Sequence, residues 1–328
     1  MSGSSSIGKL LPDAVSRVAH EWLGRQITLN APSKLNLRLK VEGRRTDGYH
    51  LLSMINCSTS RQDTLRVALT RGDEWVVTVK PEGILPAGGG ENLVSKAFRL
   101  FWREFGFDQA PLGFRCEIKK NIPIGGGLGG GSADAAAMLR HLATVFGASL
   151  RESFELSQDE IQRRVMSAAL ACGADVPYAV HGGLCCVGGI GEEVVSLSSR
   201  IVSPPKALIM VPPKPVPTAA FYERYRTEYP VVHHVSDDVG RSFAKSGAGD
   251  LRDLVENDFE RTASDMVPEI REGLRLAREF FPHGTALTGS GSVFFSLIVD
   301  GEEGVVSELS TRLGGQGIAS YLSFLIFS

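Results

Sequence analysis

No run of the 328-residue chain approaches the roughly 18–20 apolar residues that a membrane-spanning helix requires, and no charged-then-apolar leader opens it. Asp13 and Glu21 interrupt the N-terminal segment, which argues against an acid-poor transit peptide. A cytoplasmic protein with no membrane partner is expected. Cysteine is scarce and scattered: Cys57, Cys116, Cys172, Cys185 and Cys186 form an odd set without C-x-x-C spacing. That pattern disfavours both a disulfide framework and a zinc site, and points to reduced thiols. The histidines show no H-E-x-x-H, and the adjacent His233 and His234 read as loop residues. Charge of neither sign dominates, because 35 Lys and Arg against 37 Asp and Glu leave a net charge of −2. Without a bulk basic field no nucleic-acid partner is expected, and a small molecule is favoured.

What the chain does have is glycine, concentrated in "PIGGGLGGGSADAAAMLRHL", Pro123 to Leu142. Gly125, Gly126, Gly127, Gly129, Gly130 and Gly131 are broken only by Leu128, so the main chain is open to close approach by another molecule. After the glycines, Ala135, Met138, Leu139, Leu142 and Phe146 recur at helical spacing, with Ser132 placed to cap the helix and Asp134 in its first turn. A bare loop entering a helix N-terminus suits phosphate, and an anion site is the first reading, with a linker or tight turn as the alternative. A Walker loop is excluded because no Lys follows the glycines, and G-x-G-x-x-G is met only trivially.

Along the chain, "MSGSSS" reads as disordered, and Val15, Val18, Ala19 and Trp22 predict a short amphipathic helix within an N-terminal extension, residues 1–26. Strand-like runs follow at "ITLNAPSKLNLRLKV", "DTLRVALT" and "EWVVTVK", then a helix at "NLVSKAFRLFWREFG", a strand at "GFRCEIKK", the glycine loop with its helix, and a helix at "DEIQRRVMSAALACG". Six prolines between Arg200 and Pro217 suggest a domain boundary, giving domains over 27–200 and 201–328. The second contains "ALIMV" as a strand, helices at "GDLRDLVENDFERTA" and "EIREGLRLAREFF", strands around "TALTGSGSVFFSLIV", a helix at "EGVVSELSTRLGG" and a final strand "ASYLSFLIFS". Both domains are thus α+β, and no repeat of fixed period is apparent.

Three stretches in order, "APSKLNLRLKVEGRRTDGYH", "PIGGGLGGGSADAA" and "LTGSGSVFF", with "GADVPY" as a fourth, resemble the GHMP kinases from about Ile27 to the C-terminus. The block Lys34-Leu35-Asn36, Gly43-Arg44-Arg45 and Asp47-Gly48-Tyr49-His50 is narrower than the superfamily pattern, and is similar to the branch that phosphorylates a methylerythritol carrying cytidine diphosphate in isoprenoid biosynthesis. The resemblance implies a two-domain α+β GHMP kinase fold, with a left-handed βαβ-type ATP site in the N-terminal domain and a ferredoxin-like C-terminal domain. It implies ATP and Mg2+ as cofactors, a small-molecule substrate carrying cytidine diphosphate, and a monomer or homodimer. A homoserine or mevalonate type of kinase and a catalytically silent nucleotide-binding regulator are the alternatives. The first has no use for the "GRRTDGYH" block, and the second should have lost Lys34 or Asp175.

By their match to the family, Asp175 is the base and Lys34 the cation that stabilises the transferring phosphoryl group. By residue type alone, Asp175 is equally good turn chemistry and Lys34 an ordinary polar residue of a half-buried strand. Pro123, Gly125, Gly126, Gly127, Leu128, Gly129, Gly130, Gly131 and Ser132 are implied at the ATP phosphates, and Asn92 at the adenine side. Asn36, Tyr49, His50 and Tyr222 are implied at the substrate, where an aromatic ring stacks on the base and His50 reads its edge; packing in the core is the other use of such aromatics. Gly289, Ser290 and Gly291 form the implied glycine loop of the second domain, though a hairpin turn has the same composition. Ala133 stands where the family often has Ser, Asp134 where it often has Asn, and Ser33 in place of Ala. Asp134 therefore needs a compensating cation or helix dipole, while the change at Ser33 is expected to be neutral. The metal ligands are left open.

Overall fold

The computed structural model describes residues 11–46, 48–72, 74–82, 91–197, 205–228 and 251–327. His233, His234 and the expected boundary at residue 200 lie outside these residues. Contacts group the chain into two units that interleave along the sequence. Unit 1 takes the chain up to Ala31, Gln62–Asn121 and Gly130–Val180; unit 2 takes Pro32–Arg61, Ile122–Gly129 and the chain from His181 on. The sequence reading made the domains consecutive. Interleaving follows from two long strands, β1 (Gln26–Arg44) and β2 (His50–Thr70), each of which passes from one unit into the other.

In unit 1, β3 (Trp75–Lys80), α2 (Leu93–Glu104) and β4 (Gly113–Lys119) make a parallel βαβ crossover, Val77 pairing with Cys116, while β4 runs antiparallel to β2 with Leu65 opposite Ile118. α1 (Asp13–Trp22), α2 and α4 (Gln158–Cys172) pack on α3 (Gly130–Phe154). Phe98 meets Phe114 at 4.6 Å and Trp102 meets Phe146 at 5.0 Å, tying sheet to helices. The short α5 (Val176–His181) follows α4. Val15 and Ala19 of α1 are fully buried in this same core, so the described part of the N-terminal segment is integral to unit 1.

Unit 2 contains β5 (Leu184–Gly188), β6 (Glu193–Ser196), β7 (Lys206–Val211), α6 (Thr218–Glu228), β8 (Glu256–Asn257), α7 (Glu260–Met266), α8 (Pro268–Phe280), β9 (Thr285–Leu287), β10 (Phe294–Ile298), α9 (Glu303–Gly314) and β11 (Ala319–Ile326). The antiparallel order β11-β7-β10-β9, with helices between β7 and β9 and between β10 and β11, is the ferredoxin-like arrangement. The sequence reading did not include β5, β6 or α6, and the segment it took as a helix, "GDLRDLVENDFERTA", is not one helix. A single 3-10 turn, Leu251–Leu254, is followed by β8, which pairs in parallel with Arg38 and Leu39 of β1 before α7 begins. Tertiary pairing with β1 overrides the helical periodicity there.

No helix among the described residues is long and apolar enough to cross a membrane. All five cysteines are free thiols, and burial pushes Cys116 and Cys185 up to about 12, so both stay protonated at neutral pH.

Candidate active site

The expected half-buried strand around Lys34 is buried on both faces. Leu35 and Leu37 enter the apolar core of unit 2 and Leu39 is buried on the same face, and Lys34, Asn36 and Arg38 on the opposite face are buried as well. Buried polar groups must be bonded, and these are. Lys34 Nζ donates to Asn36 Oδ1 at 2.6 Å, and Asn36 Nδ2 donates to Asn56 Oδ1 at 2.7 Å and to Met54 Sδ at 3.3 Å. The Asn36 backbone N–H donates to Thr288 Oγ1 at 3.0 Å, and that hydroxyl lies 3.3 Å from Asn36 Oδ1. Arg38 Nε is paired with Glu256 at 2.7 Å. Ser33, expected to be a neutral replacement, is fully buried and relies on a hydrogen bond of 2.7 Å with the Thr59 hydroxyl.

The two glycine loops meet within unit 2. Gly127 has φ +82°, and a Cβ there would run into the Thr288 carbonyl oxygen. At Gly129, with φ +69°, a Cβ would lie 3.1 Å from Lys34 Cγ. Both positions need glycine for backbone conformation and for close approach. The Lys34 N–H donates to the Leu128 carbonyl at 3.0 Å and the Val293 N–H to that of Gly126 at 3.2 Å, which fixes Gly125–Gly129 against β1 and the second loop. Asn257 then holds the second loop: its Nδ2 donates to the Leu287 and Gly289 carbonyls at 2.8 and 2.9 Å. Sequence reasoning missed Thr288 as a side chain, and missed Asn257 altogether because its strand was read as helix.

His50 is buried at the start of β2, stacked on Tyr222 with ring centroids 5.7 Å apart and edge-on to Tyr225 at 5.5 Å. Its Nε2 is buried with no hydrogen-bond partner, an orphan atom that a ligand would satisfy. Burial, with Arg44 and Arg226 adding to it, holds the imidazole below its usual pKa, so the ring is neutral at physiological pH. Tyr49 is 59% exposed. Packing is therefore no account of Tyr49.

In unit 1, α3 begins at Gly130, so Ser132 stands inside the first turn rather than capping it. The N–H groups of that first turn and the positive end of a 25-residue helix suit an anion. Gly131 faces Leu93 Cδ1, which a Cβ would meet at 3.3 Å; beside it Asn92 caps α2, its Oδ1 accepting from the Val94 N–H at 2.8 Å. Ala133 is buried among apolar side chains, so a hydroxyl at that position would face the core. Asp134 is buried too, and Lys120 Nζ donates to its Oδ2 at 2.8 Å and also bonds Asp63. Burial raises the Asp134 carboxyl to about 7, the pull of Lys120 opposing it and the nearby Asp63 adding to it. The compensating cation that the sequence reading called for is Lys120. Lys120 also lines a cleft of 580 Å³ together with Arg66, Lys80, Glu117 and Lys119, which the sequence reading did not single out; Glu117 pairs there with Lys80 and Arg66. Asp175 is half-buried at the turn entering α5, its carbonyl accepting from the Ala179 N–H at 3.1 Å.

Residues 92–183 match the model described as GHMP kinases N terminal domain. The fold is shared more widely: a mevalonate kinase from Methanococcus jannaschii superposes with a TM-score of 0.60 at 15% identity, and a homoserine kinase from Cytophaga hutchinsonii with 0.61 at 16%, each covering 92% of this chain. The matched N-terminal domain and the chain's curated relatives make it a GHMP kinase. Within that class the chain belongs to the 4-diphosphocytidyl-2-C-methyl-D-erythritol kinase family. It is 32% identical to the enzyme of that name from Desulfitobacterium hafniense over 85% of this chain and 89% of that one. With the Geobacter metallireducens enzyme it shares 34% identity over 85% of this chain and 92% of that one. A crystal structure of a 4-(cytidine 5'-diphospho)-2C-methyl-D-erythritol kinase covers 92% of this chain and all of its own, with a TM-score of 0.66 at 28% identity.

Proposed function

We infer that the chain transfers the γ-phosphoryl of ATP to the 2-hydroxyl of 4-diphosphocytidyl-2-C-methyl-D-erythritol, a step of non-mevalonate isoprenoid biosynthesis. The observation that carries this is the agreement of relatives of one activity across at least four-fifths of the chain; the homoserine and mevalonate kinases share only the fold at 15–16% identity. Lys34 stabilises charge on the transferring group, Asp175 takes the hydroxyl proton, and Gly125–Gly131 with Ser132 and Pro123 hold the phosphates. Asn92 lies to the adenine side. His50 reads the cytosine edge with its unpartnered Nε2, while Tyr49 and Tyr222 supply ring faces. Asn36 serves the substrate side, and Gly289, Ser290 and Gly291 close that side.

ATP fits the residues present, since the first-turn N–H groups of α3, which begins at Gly130, and the positive end of that 25-residue helix suit its phosphates. Mg2+ fits as an ion carried on the nucleotide, since magnesium is usually held through substrate phosphates with few protein ligands. Ser132 is the first-turn hydroxyl available to it. When bound, the ion neutralises phosphate charge. A cytoplasmic location, a monomer or homodimer, and a functional division at 27–200 and 201–328 complete the reading. Phosphorus NMR of the reaction tests it: a new phosphate monoester on the methylerythritol should grow as ADP forms, and ADP with free phosphate alone would overturn the assignment.

A further inference from the structure

We propose that Thr288 is a positioning residue for the reaction, its hydroxyl holding Asn36 so that Asn36 in turn fixes the ammonium group of Lys34. The proposal rests on Lys34 being the stabilising cation. Every part of the relay lies in unit 2 and in its buried interior.

The Asn36 backbone N–H has only a proton to offer, so Thr288 Oγ1 accepts at 3.0 Å and its own proton is left for Asn36 Oδ1 at 3.3 Å. One hydroxyl thus bonds both the main chain and the side chain of the same residue. The amide of Asn36 is held in one orientation, because Nδ2 is committed to Asn56 Oδ1, and the carbonyl oxygen so fixed is the atom that receives Lys34 Nζ at 2.6 Å. An ammonium group on a four-carbon stem has many rotamers, and a fixed acceptor selects among them.

Thr288 is itself clamped. Asn257 bonds the carbonyls on either side of it, at Leu287 and Gly289, and accepts the Phe259 N–H at 2.9 Å. The Thr288 N–H and carbonyl are taken by Val293 and Gly291. Asn257 lies opposite Leu39 on β1, the strand that carries Lys34 and Asn36, so the clamp and the relay share one frame. Gly127 packs directly on the Thr288 carbonyl. The residue that places the cation thereby also sets the register of the loop assigned to the phosphates.

Thr288→Val keeps the shape and removes the hydroxyl; Thr288→Ala removes it without the second methyl, should Val disturb folding; Thr288→Ser restores it. The expected result is a kcat lower by roughly tenfold to a hundredfold in the Val or Ala variant, with KM for ATP within about twofold and most activity regained in Ser. Wild-type kcat in a folded Val or Ala variant, with Lys34→Ala inactive, would overturn the relay while leaving Lys34 in place. Equal losses in Val, Ala and Ser would also overturn it. Full activity in Lys34→Ala would instead remove the reading on which the relay stands.

Discussion

Lys120 and Asp134 meet at 2.8 Å inside unit 1, with Asp63 bonded to the same ammonium group. One cation thus serves two buried carboxylates, and Oδ1 of Asp134 is left without a hydrogen-bond partner. The arrangement joins the end of β4 to the first turns of α3, the helix whose N-terminus is assigned to phosphate. A buried ion cluster contributes little net stability against an apolar replacement of the whole, but removal of one member is costly.

Lys120→Met should therefore destabilise the protein by about 3–5 kcal/mol, and Asp134→Asn by clearly less, since it leaves the Lys120–Asp63 pair intact. Urea denaturation checks this. Equal losses in the two variants would contradict it.

The raised pKa of Asp134 has a sign. Between its ordinary 3.8 and about 7 the folded chain keeps a proton that the unfolded chain releases, so this group's contribution to stability falls as pH rises through that window. Relative to Asp134→Asn, the wild type should lose stability between about pH 4 and about pH 7. Parallel curves would refute the assignment.

His141 acts in the opposite direction. Burial lowers it to about 4, so the folded imidazole stays neutral where the unfolded one charges, and stability is lost as pH falls from 6.5 through about 4. His141→Phe keeps a ring edge-on to Trp22, now 5.5 Å away, and removes the titration. Its acid-side loss of stability should be shallower, as thermal melts at stepped pH would show.

Two glycines of one run should respond differently. Gly127→Ala forces a methyl into the Thr288 carbonyl at a positive φ, and should cost about 1–3 kcal/mol together with most of the activity. Gly131 is helical, so alanine there gains helix propensity but must push aside Leu93 Cδ1 at 3.3 Å; stability should change by less than about 1 kcal/mol, while ATP binding weakens if phosphate approaches that turn. Calorimetric titration with ATP, alongside melts, separates the two effects. Unchanged ATP affinity in Gly131→Ala would move the phosphates away from this turn.

His50→Phe preserves the packing against Tyr222 and Tyr225 while deleting Nε2. KM for the cytidylated substrate should rise on the order of tenfold, the worth of one buried hydrogen bond, with KM for ATP unaffected. A rise in KM for ATP alone would displace His50 from the cytosine.

Much of this was legible in the sequence because it is written in local patterns. Hydrophobic periodicity gave α2, α3 and α4, and the glycine run with the "GRRTDGYH" block gave the class. What escaped was long-range. Glu256 and Asn257 sit in a helical pattern, yet they pair with a strand more than 200 residues earlier, and that pairing brings Asn257 to Leu287 and Gly289. Alternation along Lys34–Lys40 matched a half-buried strand, because burial of the polar face depends on Thr288 and Glu256, which the local sequence does not show. Lys120 gave no signal at all: a lysine at a strand end is ordinarily solvated, and its two carboxylates come from β2 and α3.

The most direct test of the whole account is ADP release by the purified chain with ATP and magnesium, comparing 4-diphosphocytidyl-2-C-methyl-D-erythritol with homoserine, mevalonate and a substrate-free control. The account predicts turnover with the cytidylated substrate and none above the control with the other two. Turnover with homoserine or mevalonate, or ATP binding without turnover on any of them, would contradict it.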